Sequence, residues 1–157
     1  MKNGGLAALI KRGGIYYGVQ GSNPQEILAN IINEADIPAS LDRNKLLEAV
    51  LERECLMSTS IGEGIALPHP RNPLISETGE QFVRIAFPRD PPDWNSLDGQ
   101  HIHTVFLIVS ASAKLHLHTL SEINYFCRQK EFTELLKKHA PQEELIGMIA
   151  EIEKTWI

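Results

Sequence analysis

The chain has 157 residues, enough for one domain to bury a core without help from disulfides or a metal. Its formal net charge of -5 comes from 20 acidic and 15 basic residues scattered along the sequence, with no Lys/Arg-rich run to follow a nucleic-acid backbone. A nucleic-acid partner is therefore disfavoured. The two cysteines, Cys55 and Cys127, make no CxxC pair, so no disulfide framework or zinc ribbon is expected and both thiols should stay reduced.

In chain order, Leu6, Leu9 and Ile10 suggest a short helix that Gly13-Gly14 ends. The apolar stretch before Lys11-Arg12 is too short for a signal-peptide core, and no later segment approaches a membrane span. The expectation is a cytoplasmic protein with no direct membrane insertion. Ile15 to Val19 reads as a brief strand. Ser22 is a plausible N-cap for a second helix with Pro24 in its first turn. Ile27, Leu28, Ile31 and Ile32 recur at helical spacing until Asp36-Ile37-Pro38.

A third helix starts near Asp42, keeps Leu46, Leu47, Val50 and Leu51 on one face, and carries Arg53 near its end. Residues 81–88 and 101–109 are the best strand candidates, separated by a proline-rich loop and the Asp98-Gly99 turn signal. His101 and His103 would lie at the exposed start of the second of these. Residues 113–128 read as a helix with Leu117, Leu120, Ile123 and Phe126/Cys127 inward. Two shorter helices follow, around 132–136 and 142–152, the latter with Pro141 in its first turn. With no internal repeat or linker, residues 1–157 are expected to form a single three-layer α/β (α+β) domain, a mixed sheet with helices on both faces.

The chemistry concentrates in residues 62–71, Gly-Glu-Gly-Ile-Ala-Leu-Pro-His-Pro-Arg. Pro68 and Pro70 bias the backbone on either side of His69 away from helix, so the imidazole is mounted on a stiff, extended segment. Taken alone, such a histidine is compatible with an ordinary surface or half-buried role. Three patches change the weighing. Residues 58–69, Ser-Thr-Ser-Ile-Gly-Glu-Gly-Ile-Ala-Leu-Pro-His, resemble the active-site segment of the enzyme IIA proteins of the bacterial phosphotransferase system, in the fructose/mannitol and nitrogen-regulatory branch. Leu51-Glu52-Arg53-Glu54 and His116-Leu117-His118-Thr119-Leu120-Ser121 are similar to two further patches of that family, in its order and at about its spacing.

The resemblance implies that His69 carries a phosphoryl group, attacking through Nε2, with Arg53 and His116 stabilising the transferring group. No cofactor or metal is implied. A phosphoryl group adds about 1.5 to 2 negative charges and three strong acceptors, which a guanidinium fork can meet. The residues alone favour reading Arg53 as a solvated helix-end charge flanked by Glu52 and Glu54. His116 and His118, two apart on a helix, point about 200° from each other and cannot share one site; the family's pattern selects His116. A zinc site from Cys55, His69, His116 and His118 matches no compact ligand spacing.

One departure stands out: many family members have Gly and a basic residue after the active histidine, where this chain has Pro70-Arg71. Proline removes a backbone donor, and Arg71 is a substitute by proximity only. The implied activity is that of a phosphotransferase, a phosphohistidine carrier that accepts its group from an HPr-type protein. His-Leu-His-Thr-Leu-Ser is more similar to the nitrogen-regulatory branch, and no IIB or permease segment accompanies it. Regulation of target proteins is therefore the leading expectation. A sugar-specific component donating to a IIB domain, and an unphosphorylated binding module, are the alternatives.

Overall fold

The computed structural model describes residues 5–33 and 36–156. A five-stranded mixed sheet runs in the order β1-β4-β5-β3-β2, where β1 is Ile15–Val19, β2 Ser60–Gly62, β3 Ile65–Ala66, β4 Phe82–Pro88 and β5 Thr104–Val109. The pairs β1/β4 and β3/β5 are parallel, and β4/β5 and β2/β3 antiparallel. Among the described residues six α-helices surround it: α1 Leu6–Gly13, α2 Pro24–Asn33, α3 Arg43–Leu56, α4 Ala113–Cys127, α5 Lys130–Lys137 and α6 Gln142–Glu153.

The two central strands, β4 and β5, are buried along their whole length, which is why both read as nearly continuous apolar runs. Their period-2 alternation still sorts the layers. Val83, Ile85 and Phe87 with Phe106 and Ile108 face a core shared with α1, α4, α5 and α6. Phe82 and Ala86 with Val105, Leu107 and Val109 face the opposite core, filled from α2 and α3. The expected mixed sheet with helices on both faces is what forms.

Arg84 sits in the middle of β4 and is 1 % exposed. Its guanidinium donates 2.8 Å hydrogen bonds to three carbonyls, of Gly13, Ile31 and Asp36, and lies over the Tyr16 and Phe82 rings. Two of those carbonyls belong to the last turns of α1 and α2, where helix acceptors are left over. One buried cation thus fastens both helix ends to the sheet. Gly13 packs so tightly on β4 that a Cβ there would stand 2.0 Å from the Val83 carbonyl oxygen.

Local chemistry corrects several expectations. The first turn of α2 is capped by Asn23, not Ser22: the Asn23 side chain accepts the Glu26 N–H at 2.9 Å, while Glu26 reaches back to the Ser22 N–H at 2.8 Å. The expected continuation of this helix through residues 34 and 35 lies outside the described residues. Asp42 does cap α3, accepting the N–H groups of Asn44 and Lys45. Leu117, expected inward on α4, is 63 % exposed, and the buried positions of that helix are Thr119, Glu122, Ile123 and Phe126. β5 begins at Thr104, so His101 and His103 precede it. His103 is half-buried, with Nδ1 at 2.7 Å from the Thr104 hydroxyl and Nε2 at 2.9 Å from the Glu63 carbonyl.

Candidate active site

β2 and β3 form a hairpin too short to read from sequence, turning through Glu63 and Gly64 at φ 57° and 78°. Two successive positive φ values belong to the primed turns that suit a right-twisted hairpin. Gly64 is further required because a Cβ there would lie 2.4 Å from the His103 ring. The Glu63 N–H, exposed by this conformation, donates to Asp98 at 3.0 Å.

The chain leaves β3 through Leu67, Pro68 and His69, and two backbone bonds hold this exit. Leu67 N–H donates to the Thr59 carbonyl at 3.1 Å, and Ile108 N–H to the Pro68 carbonyl at 3.0 Å. Because β3 and β5 run parallel, His69 comes to the carboxyl ends of both, where the loop after β5 turns into α4. Ligand sites of open α/β sheets gather at such ends. Ser112 caps α4 by accepting the Leu115 N–H, and His116 follows in the first turn.

The His69 and His116 rings meet at a centroid separation of 4.4 Å, tilted by 47°. His69 Nδ1 lies 2.7 Å from the Leu67 carbonyl oxygen. A carbonyl can only accept, so Nδ1 carries the proton and Nε2 keeps its lone pair. Burial lowers the pKa of His69, the Leu67 bond pulls it up, and the nearby Arg53 charge pushes it down again. His116 drops to about 4, through burial first, then the charges of His69 and Arg53. Both rings are therefore neutral at neutral pH, and the Nε2 lone pair of His69 could attack an electrophile without prior deprotonation.

Arg53 arrives from the last turn of α3. Its Nη1 donates to the Met57 carbonyl at 2.7 Å, tying the guanidinium to the end of its own helix. It is near enough for its charge to lower the pKa of both histidines. The three residues singled out by sequence thus converge from a loop and two helices. His118 points away, its ring 6.1 Å from that of Trp156. Arg71 is exposed and, with Pro70, Ile108, Ala113, His116 and Leu117, borders a recess of about 190 Å³ beside the histidine pair. The sequence led to the expectation of a shallow, partly apolar recess around His69, and it could not name the Leu67 carbonyl as the partner of Nδ1.

Fold and site together define an α/β domain with a partly buried histidine pair at the carboxyl ends of its central parallel strands. The chain belongs to the family described as Phosphoenolpyruvate-dependent sugar phosphotransferase system, EIIA 2, whose profile matches residues 8–152. It is therefore an enzyme IIA domain, a phosphotransfer component of that system. It is 28% identical over 152 residues to the PTS system fructose-specific EIIABC component of Bacillus subtilis, covering 95% of this chain but 24% of that protein. The chain thus spans about a quarter of the length of that relative. It is 32% identical over 119 residues to the Nitrogen regulatory protein of Escherichia coli, covering 74% of this chain and 71% of that one. The fold is similar to that of Nitrogen Regulatory Protein IIA-Ntr from Neisseria meningitidis, with a TM-score of 0.73 at 22% identity over 88% of this chain and 94% of that chain. Among the described residues no helix is long and apolar enough to cross a membrane.

Proposed function

We propose that residues 1–157 act as one cytoplasmic histidine phosphocarrier domain that accepts a phosphoryl group on Nε2 of His69 from an HPr-type protein and serves mainly in nitrogen regulation. The observation that carries this reading is the 2.7 Å bond from His69 Nδ1–H to the Leu67 carbonyl, which leaves Nε2 unprotonated beside His116 and Arg53. In the transfer, the Nε2 lone pair attacks phosphorus in line as the P–N bond of the donor phosphohistidine breaks, and the donor nitrogen leaves with that electron pair. Arg53 supplies guanidinium N–H groups to the equatorial oxygens, and His116 a ring nitrogen. The recess beside His116, with the exposed Leu117, offers an apolar seat for the partner.

The likeness to the nitrogen regulatory proteins supports a regulatory output, in which the phosphorylation state is read by target proteins. A second reading rests on the likeness to the fructose-specific EIIABC component: a sugar-specific IIA that passes its group to a IIB domain. The test is intact mass after incubation with phosphoenolpyruvate, enzyme I and an HPr-type carrier, at alkaline pH because phosphohistidine is acid-labile. Wild type should gain one phosphate and His69→Ala none. If wild type stays unmodified while a known IIA domain is labelled by the same reagents, the carrier reading fails, and the domain is a binding module in which Pro70 has replaced a needed donor.

A further inference from the structure

Glu54 follows Arg53 on α3, and both of its carboxylate oxygens are committed to one residue. Oε2 accepts the Thr59 N–H at 2.7 Å, and Oε1 accepts the Thr59 hydroxyl at 2.7 Å. Bonds to an ionised acceptor at this length are the strong kind. Thr59 is 6 % exposed, so its two donors have little water to turn to if the carboxylate is lost.

The connection runs on from there. The Thr59 carbonyl accepts the Leu67 N–H at 3.1 Å, extending the β2–β3 ladder by one bond. The carbonyl of the same Leu67 accepts the His69 Nδ1 proton at 2.7 Å. One unbroken series of hydrogen bonds therefore links the carboxylate on α3 to the imidazole, through a segment with no other tie to that helix end among the described hydrogen bonds. α3 also carries Arg53, closed onto Met57 by its own bond. The Leu67 N–H that meets Thr59 and the Leu67 carbonyl that meets His69 lie in neighbouring peptide units joined at the Leu67 Cα, so the bond to Thr59 constrains that carbonyl through a single residue.

We propose that Glu54, acting through Thr59 and Leu67, is a positioning residue that holds His69 in the Nδ1–H tautomer and sets Nε2 within reach of Arg53. This rests on the reading of His69 as the phosphoryl acceptor. The two tautomers of neutral imidazole are close in energy in water, with the Nε2–H form slightly ahead. That form has no lone pair on Nε2 and cannot attack from it. The Leu67 carbonyl reverses the preference only while it stays at hydrogen-bonding distance, and Thr59 with Glu54 anchors Leu67 on one side of it as the Ile108 N–H anchors Pro68 on the other. Histidines that ligate metals are tuned in the same manner by the acceptor on their second nitrogen.

The experiment compares wild type with Glu54→Ala, Glu54→Gln, Thr59→Val and Thr59→Ser by imidazole ¹⁵N shifts of unphosphorylated His69 at pH 8, alongside the rate of phosphorylation from an HPr-type donor. Glutamine can accept the Thr59 N–H through its oxygen and donate its amide to the hydroxyl, so Glu54→Gln should keep the wild-type tautomer and nearly the wild-type rate. Glu54→Ala should mix the tautomers and slow transfer roughly ten- to a hundredfold, the range seen when such second partners are removed. Thr59→Val should shift in the same direction and Thr59→Ser should restore it. This threonine pair decides the matter if Glu54→Ala does not fold.

Folded Glu54→Ala or Thr59→Val protein with the wild-type tautomer overturns the proposal. So does Glu54→Gln as slow as Glu54→Ala with the tautomer unchanged, because Glu54 would then act through its charge on Arg53. If wild type takes no phosphate, the carrier reading falls by itself, and the tautomer comparison still decides the positioning role.

Discussion

Phosphorylation of His69 should turn His116 from a neutral ring into a titrating or protonated one at neutral pH. In the free protein His116 lies at about 4, and burial with the neighbouring Arg53 and His69 charges keeps it there. A phosphoryl group brings about 1.5 to 2 negative charges to a ring whose centroid is 4.4 Å away. At a separation of about 5 Å and an effective dielectric constant of about 20, each unit charge is worth roughly 3 kcal/mol, or about two pKa units. Halving the sum for solvent screening of a partly exposed site leaves a rise of about two units, and without that discount about four. His116 should therefore move from about 4 into the range of roughly 6 to 8. The assay is an imidazole ¹⁵N titration between pH 6 and 9, with phosphoenolpyruvate, enzyme I and a carrier regenerating the phosphoprotein. Unphosphorylated His116 should stay neutral throughout, and the phosphorylated form should gain a proton toward the lower end. If His116 is still neutral at pH 6 in the phosphoprotein, the two rings are not electrostatically joined as described.

Other expectations follow from particular residues. Arg84→Met would leave the Gly13, Ile31 and Asp36 carbonyls without the guanidinium donors. At about 1 to 3 kcal/mol per stranded group, partly relieved by water, urea unfolding should show a loss of about 3 kcal/mol, and a loss under about 1 would refute the fastening role. Burial, with Glu153 adding and the Leu6 N–H opposing, pushes Glu122 from 4.5 up to about 7. The native state then binds more protons than the unfolded one between those values, so the Glu122 contribution to stability falls as pH rises through that window. His116, lowered to about 4 in the native protein, has the opposite sign, and its contribution is lost as pH falls from 6.5 toward 4. Glu122→Gln should accordingly gain on wild type between pH 5 and 7. An equal difference at both ends would refute the assignment. Leu117→Glu, at an exposed position, should change stability by less than about 0.5 kcal/mol yet slow phosphorylation by weakening docking at the recess. Unchanged dependence on donor concentration would remove the recess from the interface.

The elements legible in the sequence were those whose signal is local. Asp42, near which α3 was expected to start, caps that helix through bonds two and three residues away, and the alternating faces of β4 and β5 settle which core each side chain enters. What escaped depended on contacts the chain makes only when folded. The β2–β3 hairpin has strands of three and two residues, below the length at which alternation can be seen. Arg84 stands in an apolar run, where its acceptors come from helices 53 and 71 residues away. His69, His116 and Arg53 were named from the resemblance. The Leu67 carbonyl and Glu54 were not, because their parts rest on peptide orientation rather than residue type. The misplaced leucine on α4 has a similar cause: a 15-residue helix packed on one side tolerates an apolar residue on its open side, and periodicity alone does not tell the two sides apart.

The prolines flanking His69 bear on how firmly the domain can grip what it receives. Neither Pro68 nor Pro70 has an N–H, so of residues 68–70 only His69 itself keeps a main-chain donor. On the carrier reading, the cargo is met by side chains reaching in from α3 and α4 instead. A relay gains from such a loose hold. A pocket lined with amides would make the loaded protein a thermodynamic sink, whereas a hold that rests chiefly on two side chains keeps the loaded and empty states close enough in energy for the group to move on in either direction.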